Sequence, residues 1–140
     1  MKEDNWPQLL SVLEKADRIA ESINEQDLCP KFEDLFKAYE LTSFKDTKVV
    51  ILDIEPVCTE EATGLCFATK SNKISTSNRV ILNSLRKSDL ITERLETADF
   101  SNWAKQGVFM LNLVLSTQKG YIRKHHTLGW QQLTKRTLVE

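Results

Sequence analysis

Two apolar runs, KVVILDI at residues 48–54 and GVFMLNLVL at residues 107–115, constrain this chain more than anything else in it. Neither alternates polar with apolar, as a strand with one wet face would. The first is a continuous β-branched run of the kind that sits in the middle of a parallel sheet, and the second reads as another buried strand. Helical patterns surround them. Asn5 caps a helix with Pro7 in its first turn, along which Leu9, Leu10, Leu13, Ala16, Ile19, Ala20 and Ile23 recur at helical spacing. KFEDLFKAYE sets Phe32, Leu35, Phe36 and Tyr39 on one face of a shorter helix. STSNRVILNSLRKS is a helix capped by Ser75 or Thr76, DFSNWAKQG a short one stopped by Gly107, and GWQQLTKRTLVE the last. The order is helices, strand, helices, strand, helix, which is an α/β sandwich with only two clear strands.

At 140 residues, 41% hydrophobic, the chain is long enough for one sizeable core and too short for two ordinary domains, so 1–140 is read as a single domain. No apolar run approaches the roughly 20 residues of a membrane span, and no signal peptide follows Lys2, Glu3 and Asp4. A cytoplasmic protein without membrane partners is expected. Cys29, Cys58 and Cys66 match no zinc or redox spacing and are read as free thiols. His125 and His126 could complete a nominal quartet with Cys58 and Cys66, but paired ligand spacing is absent, so neither metal nor cofactor is expected.

A net charge of −1 conceals two unlike halves. Residues 1–62 hold 7 lysines and arginines against 15 acids, and residues 63–140 hold 12 against 5. From Lys119 to Arg136 there are basic side chains at Lys119, Arg123, Lys124, Lys135 and Arg136, two histidines and no acid, a composition suited to phosphate. The plainer reading is that the basic half pairs with the acidic half. The loop EPVCTEEATG leaves the carboxyl end of the first strand, where open α/β folds bind ligands.

Four blocks, in order, resemble the family 1 uracil-DNA glycosylases. PKFEDLFKAYELTSFKDTKVVIL is similar to that family's approach to its first strand, and GLCFA to its Gly-Leu-Cys-Phe-Ser. WAKQGVFMLNLVLS resembles Trp-Ala-x-Gln-Gly-Val-Leu-Leu-Leu-Asn-x-Val-Leu-Thr, and HHTLGWQQLT resembles His-x-Gly-x-Gly-Trp-x-x-Phe-Thr. The resemblance runs from Trp6 to Thr134. It implies a truncated three-layer α/β/α sandwich with a short parallel sheet, in which KVVILDI and GVFMLNLVL are adjacent and parallel with helices on both faces. The family's two later strands and its His-Pro-Ser-Pro loop, which brings the histidine that steadies the departing base, are expected to be lacking. An edge of KVVILDI would then be unpaired, to be covered by a second copy, by another segment or by a protein partner.

The resemblance also implies site residues. Asn112 stands where the family's Asn reads uracil O4 and N3–H, a task for which an amide offers both a donor and an acceptor. Phe67 matches the aromatic on which the base stacks, although a Phe beside Leu65 and Cys66 could equally be core. Glu55 takes the position of the family's catalytic Asp, one methylene longer. Elsewhere in the Gly-Gln-Asp-Pro-Tyr-His motif only Pro56 is kept, and Val57 and Cys58 replace the Tyr and His. Small displacements of a catalytic group cost on the order of 100-fold in rate. The implied function is therefore a glycosylase-like protein of base-excision repair descent with a degenerate motif, weak or inactive in excising uracil. Lys119, Arg123, Lys124 and His125 are the candidate DNA contacts, with a nucleoid or nuclear place if it acts on DNA. The alternatives are a non-catalytic DNA-binding module using 119–136 and an interaction module using the acidic half.

Overall fold

A computed structural model of the chain describes residues 5–71, 74–89 and 97–139, apart from the Leu13 side chain. Its elements are α1 (Leu10–Glu21), β1 (Leu28–Cys29), α2 (Lys37–Leu41), β2 (Val49–Asp53), α3 (Thr76–Lys87), α4 (Ser101–Lys105), β3 (Val108–Asn112), β4 (Thr117–Gln118) and α5 (Trp130–Val139). β2 and β3 are adjacent and parallel in the register Val49–Val108 to Asp53–Asn112. The expected α/β architecture with a short parallel sheet is therefore present. A second, antiparallel pair joins β1 to β4, Cys29 lying opposite Thr117. Two residues per strand leave no periodicity to read, so this pair has no signature in the sequence.

The two long strands differ in cover. Phe109, Met110, Leu111 and Asn112 of β3 are all buried, whereas Val49, Val50 and Leu52 of β2 are exposed, as is Ile54 just beyond. An apolar run marks a strand that could be covered on both faces, and here only β3 is. Against Phe109 stand Trp6 and Tyr39, with ring centroids at 4.7 and 5.3 Å. Trp6 also donates its indole N–H to Thr42 O (2.9 Å), so its polar edge is satisfied inside the core.

Three local expectations need correction. Asn5 does not cap α1. Its amide donates to Tyr39 O and Glu40 O, both 3.2 Å away, tying the chain start to the end of α2, and a 3-10 turn at Pro7–Leu9 leads into α1 instead. KFEDLFKAYE is not one helix: a 3-10 turn at Phe32–Asp34 precedes α2, and Phe32 is turned outward while Leu35, Phe36 and Tyr39 are buried. On α1, Leu9 just before the helix, Ala16 and Ala20 are buried and Leu10 is exposed, a narrower stripe than the spacing suggests. The expected boundaries of α3 and α4 are present. Ser75 accepts the Asn78 N–H (3.2 Å) at the start of α3. Gly107, at φ +100°, ends the turn after α4, where a Cβ would lie 2.3 Å from Asp46 O.

Candidate functional site

The parallel register brings the carboxyl ends of β2 and β3 level, with Asp53 opposite Asn112, so these two side chains leave the sheet on the same face. The backbone stays stitched past the strands, Leu113 N–H donating to Asp53 O and Val114 N–H to Ile54 O, each at 2.9 Å. Asn112 is only 2% exposed, and among the described residues its Oδ1 has no hydrogen-bond partner. A buried acceptor without a donor costs about 1–3 kcal/mol, so this atom needs an explanation. Asp53 is half-buried, and burial pushes its carboxyl up; the Ile54 N–H on its Oδ1 (2.7 Å) opposes that, and the neighbouring Glu55 adds to it.

Two residues on, Glu55 is held from a distant part of the chain. Its Oε1 and Oε2 both accept the backbone N–H of Arg123, at 3.1 and 2.9 Å, and His126 Nε2 lies 3.4 Å from Oε2. The loop after β2 and the loop after β4 are thereby closed against each other. By sequence, His126 is a polar member of the surface loop and nothing more. A bond to a backbone N–H carries no side-chain signature, so this meeting is not readable from residue types.

Glu55, Val57 and Phe67 line one cleft of ≈ 60 Å³ with Asp53, Pro56 and Ser77. That is room for a few waters. Phe67 is half-buried at φ +61°, a left-handed backbone that non-glycine residues rarely adopt. The turn before it is fixed by Thr63, whose hydroxyl accepts the Leu65 N–H (3.2 Å), and by Gly64 at φ +84°. Next to Phe67, the Cys66 thiol donates to Ile51 O (3.4 Å), and burial, with Asp53 nearby, pushes it far above the usual thiol range. Cys66 is an inert packing residue.

The basic stretch is used in several ways. Lys119 is paired with Glu60, joining the two halves of the charge asymmetry. Arg123 and Lys124 are exposed, with the Lys124 ammonium 5.5 Å from the ring centre of Tyr121, and Tyr121 and Ile122 are 56% and 75% exposed. His125 turns inward: its Nδ1 is 2.9 Å from Ser116 Oγ, which accepts the Trp130 indole N–H at 2.7 Å. Burial, helped by Lys124, holds His125 below the usual imidazole range. Among the described residues no group of three His, Cys, Asp or Glu side chains could hold a metal ion, and no helix is long and apolar enough to cross a membrane.

No family model matches the chain. It is, however, similar to a series of curated proteins of one kind. The uracil-DNA glycosylase of Aliarcobacter butzleri is 38% identical over 107 residues, 75% of this chain and 50% of that protein. That of Wolinella succinogenes is 40% identical over 102 residues, 71% of this chain and 44% of the other. The chain belongs to the uracil-DNA glycosylase family. The Bacillus subtilis glycosylase aligns along 95% of this chain at 33% identity, and 62% of its own length is covered. The chain thus spans about half the length of the curated relatives it matches. Solved structures give the same fold: mimivirus uracil-DNA glycosylase superposes with a TM-score of 0.74 at 24% identity, over 99% of this chain and 50% of that one. A UNG variant from Nitratifractor salsuginis gives 0.67 at 16% identity, over 96% and 69%.

Proposed function

We propose that this glycosylase homologue binds single-stranded, uracil-containing DNA at the carboxyl ends of β2 and β3 and excises the base weakly or not at all. The observation that carries the reading is the state of Glu55. A carboxylate in the family's catalytic position must hold a water and face the positive charge that grows on the sugar. Here one donor, the Arg123 N–H, is shared between both of its oxygens and His126 lies beside them, so the carboxylate is held toward the loop after β4. Val57 and Cys58 supply neither the aromatic wall nor the imidazole of the family motif. Binding is supported by Asn112, whose unpartnered Oδ1 is the acceptor that uracil N3–H would need, and by Phe67 at the cleft; Asn112 is buried and does not line that ≈ 60 Å³ cleft, so a bound base requires the cleft to open toward it.

A non-catalytic DNA-binding module is the second reading. It is favoured by one feature of the loop after β4: exposed Tyr121 and Ile122 stand next to exposed Arg123 and Lys124, which suits base stacking beside phosphate contact.

A single-stranded oligonucleotide containing one deoxyuridine separates these readings, since no base has to be extruded from a duplex. The expected result is binding without detectable uracil release under conditions where an intact family member finishes the reaction, and weaker binding in Asn112→Ala. Release that disappears in Glu55→Gln and falls in Asn112→Ala would show a working catalyst. Equal binding of thymine and uracil oligonucleotides, unchanged in Asn112→Ala, would favour the module.

A further inference from the structure

The loops after β2 and β4 are held side by side at two points. Gly120 N–H donates to Cys58 O (2.8 Å), and Arg123 N–H donates to the Glu55 carboxylate. The two points are three positions apart on both loops and run in opposite directions, so Tyr121–Ile122 lies alongside Pro56–Val57. The dipeptide is also fixed from within its own loop. Gly120 and Arg123, its two chain neighbours, both take left-handed backbone, at φ +78° and +62°. Tyr121 N–H donates to Gln118 O (2.9 Å), and Tyr121 O accepts the Thr117 hydroxyl (2.7 Å).

What this hold presents is apolar: Ile122 is 75% exposed and Tyr121 56%. A single exposed apolar side chain is common and by itself implies nothing. Here it stands on a backbone bonded at both shoulders and is followed directly by the exposed side chains of Arg123 and Lys124. Glu55, the acid at this junction, is turned to the Arg123 main chain and leaves the guanidinium free for another anion.

We propose that Ile122 is a wedge for duplex DNA, entering the base stack beside the carboxyl-end cleft while Arg123 and Lys124 neutralise the flanking phosphates. This rests on the reading that the chain engages DNA at that cleft, and adds to it the form of DNA, a duplex opened at one step. An aliphatic side chain has no ring with which to stack on a free base, whereas isoleucine is among the residues that proteins drive between base pairs. The Tyr121 ring has the Lys124 ammonium 5.5 Å from its centre. A wedge must also keep its shape when pushed, and a dipeptide already ordered in the free protein does so without a further ordering cost. Its place fits the task. Arg123 N–H rests on Glu55, which lines the cleft with Val57 and Phe67, and Ile122 is the next residue, about 3.8 Å along the chain. A base displaced by Ile122 therefore leaves the stack at the mouth of the cleft. An anionic bilayer would attract the same basic pair, but even a myristoyl chain anchors only marginally, and one isoleucine buries far less.

The test uses a duplex with 2-aminopurine beside one guanine–uracil mispair, where opening costs least. Binding is followed at low salt by the anisotropy of a terminal label, and unstacking by 2-aminopurine fluorescence at saturating protein. The parent should raise that fluorescence several-fold. Ile122→Ala should leave it near the level of the free duplex once saturated, and Ile122→Leu should restore the rise; at 75% exposure neither substitution disturbs the core. Binding without a rise, or a rise as large in Ile122→Ala, overturns the wedge and leaves the DNA reading standing. Failure to bind either the duplex or a single-stranded oligonucleotide overturns both, and capture by vesicles containing anionic lipid in that case would assign the dipeptide to a membrane surface.

Discussion

The Glu55 carboxylate and the Arg123 backbone N–H, 68 positions apart in sequence, are joined through both carboxylate oxygens at 3.1 and 2.9 Å. The bond uses the main chain of Arg123 and leaves its guanidinium exposed. Arg123 is thus anchored at its backbone by an acid while its side chain stays available to phosphate. Lys124 next to it stands near the face of Tyr121.

This arrangement permits a clean test of DNA binding by the loop. Arg123 sits at φ +62°, so alanine would add backbone strain, whereas asparagine tolerates that conformation. In the double variant Arg123→Asn, Lys124→Ala the Glu55 bond should persist. Its affinity for single-stranded DNA should fall, and the log–log salt slope should flatten by about 0.7 for each phosphate no longer neutralised. A salt titration that superposes on the parent's would place DNA elsewhere on the molecule.

Asn112 gives a prediction of opposite sign for stability and binding. A structural Asn at a strand end loses stability when its amide is removed. A buried Oδ1 without a partner gains from removal, because replacing an unsatisfied acceptor with an apolar group of similar shape relieves its desolvation cost. Asn112→Leu should therefore leave the unfolding free energy measured in urea unchanged or raise it by up to about 1 kcal/mol, while weakening binding of a uracil oligonucleotide. A loss of stability would mean that the amide is part of the fold.

How far residue types reveal the structure depends on the kind of signal. The pairing of β2 with β3 is legible because two apolar runs leave few places to put them. That only β3 is buried is not, since the run Val49–Leu52 reads the same whether or not anything covers it. Asn112 and Phe67 stand out by resemblance, and composition alone would make them a strand-end amide and a core aromatic. The junction of Glu55 with Arg123 and His126 is invisible in sequence, because a backbone donor can belong to any residue type but proline.

Two glycines with similar dihedrals should respond very differently to a methyl group. Gly64 and Gly120 have φ of +84° and +78°. A Cβ on Gly64 would lie 1.9 Å from Asp34 O, and one on Gly120 would meet nothing within 4 Å. Gly120→Ala should cost only the backbone strain, about 1 kcal/mol, and Gly64→Ala at least about 3 kcal/mol, since main chain must also move. Chemical denaturation of the two variants side by side would check this; equal losses would show that the turn before Phe67 yields easily.

His125 should make stability depend on pH in a defined window. Trp130 N–H can only donate, so Ser116 Oγ accepts from it and its own proton is free to go to an unprotonated His125 Nδ1, in the neutral imidazole that burial favours. Burial and Lys124 hold the folded imidazole below its ordinary value of 6.5. As pH falls through about 6.5 the unfolded chain takes up a proton that the folded chain does not, so unfolding gains and stability drops. The contribution is fully present above that value, declines below it, and stops changing once the folded histidine also protonates. Urea midpoints between pH 7.5 and pH 5 should therefore fall on acidification, and His125→Gln, which keeps an acceptor for the Ser116 hydroxyl without titrating, should flatten that dependence. A variant whose stability falls as steeply on acidification as the parent's would assign the effect to another group.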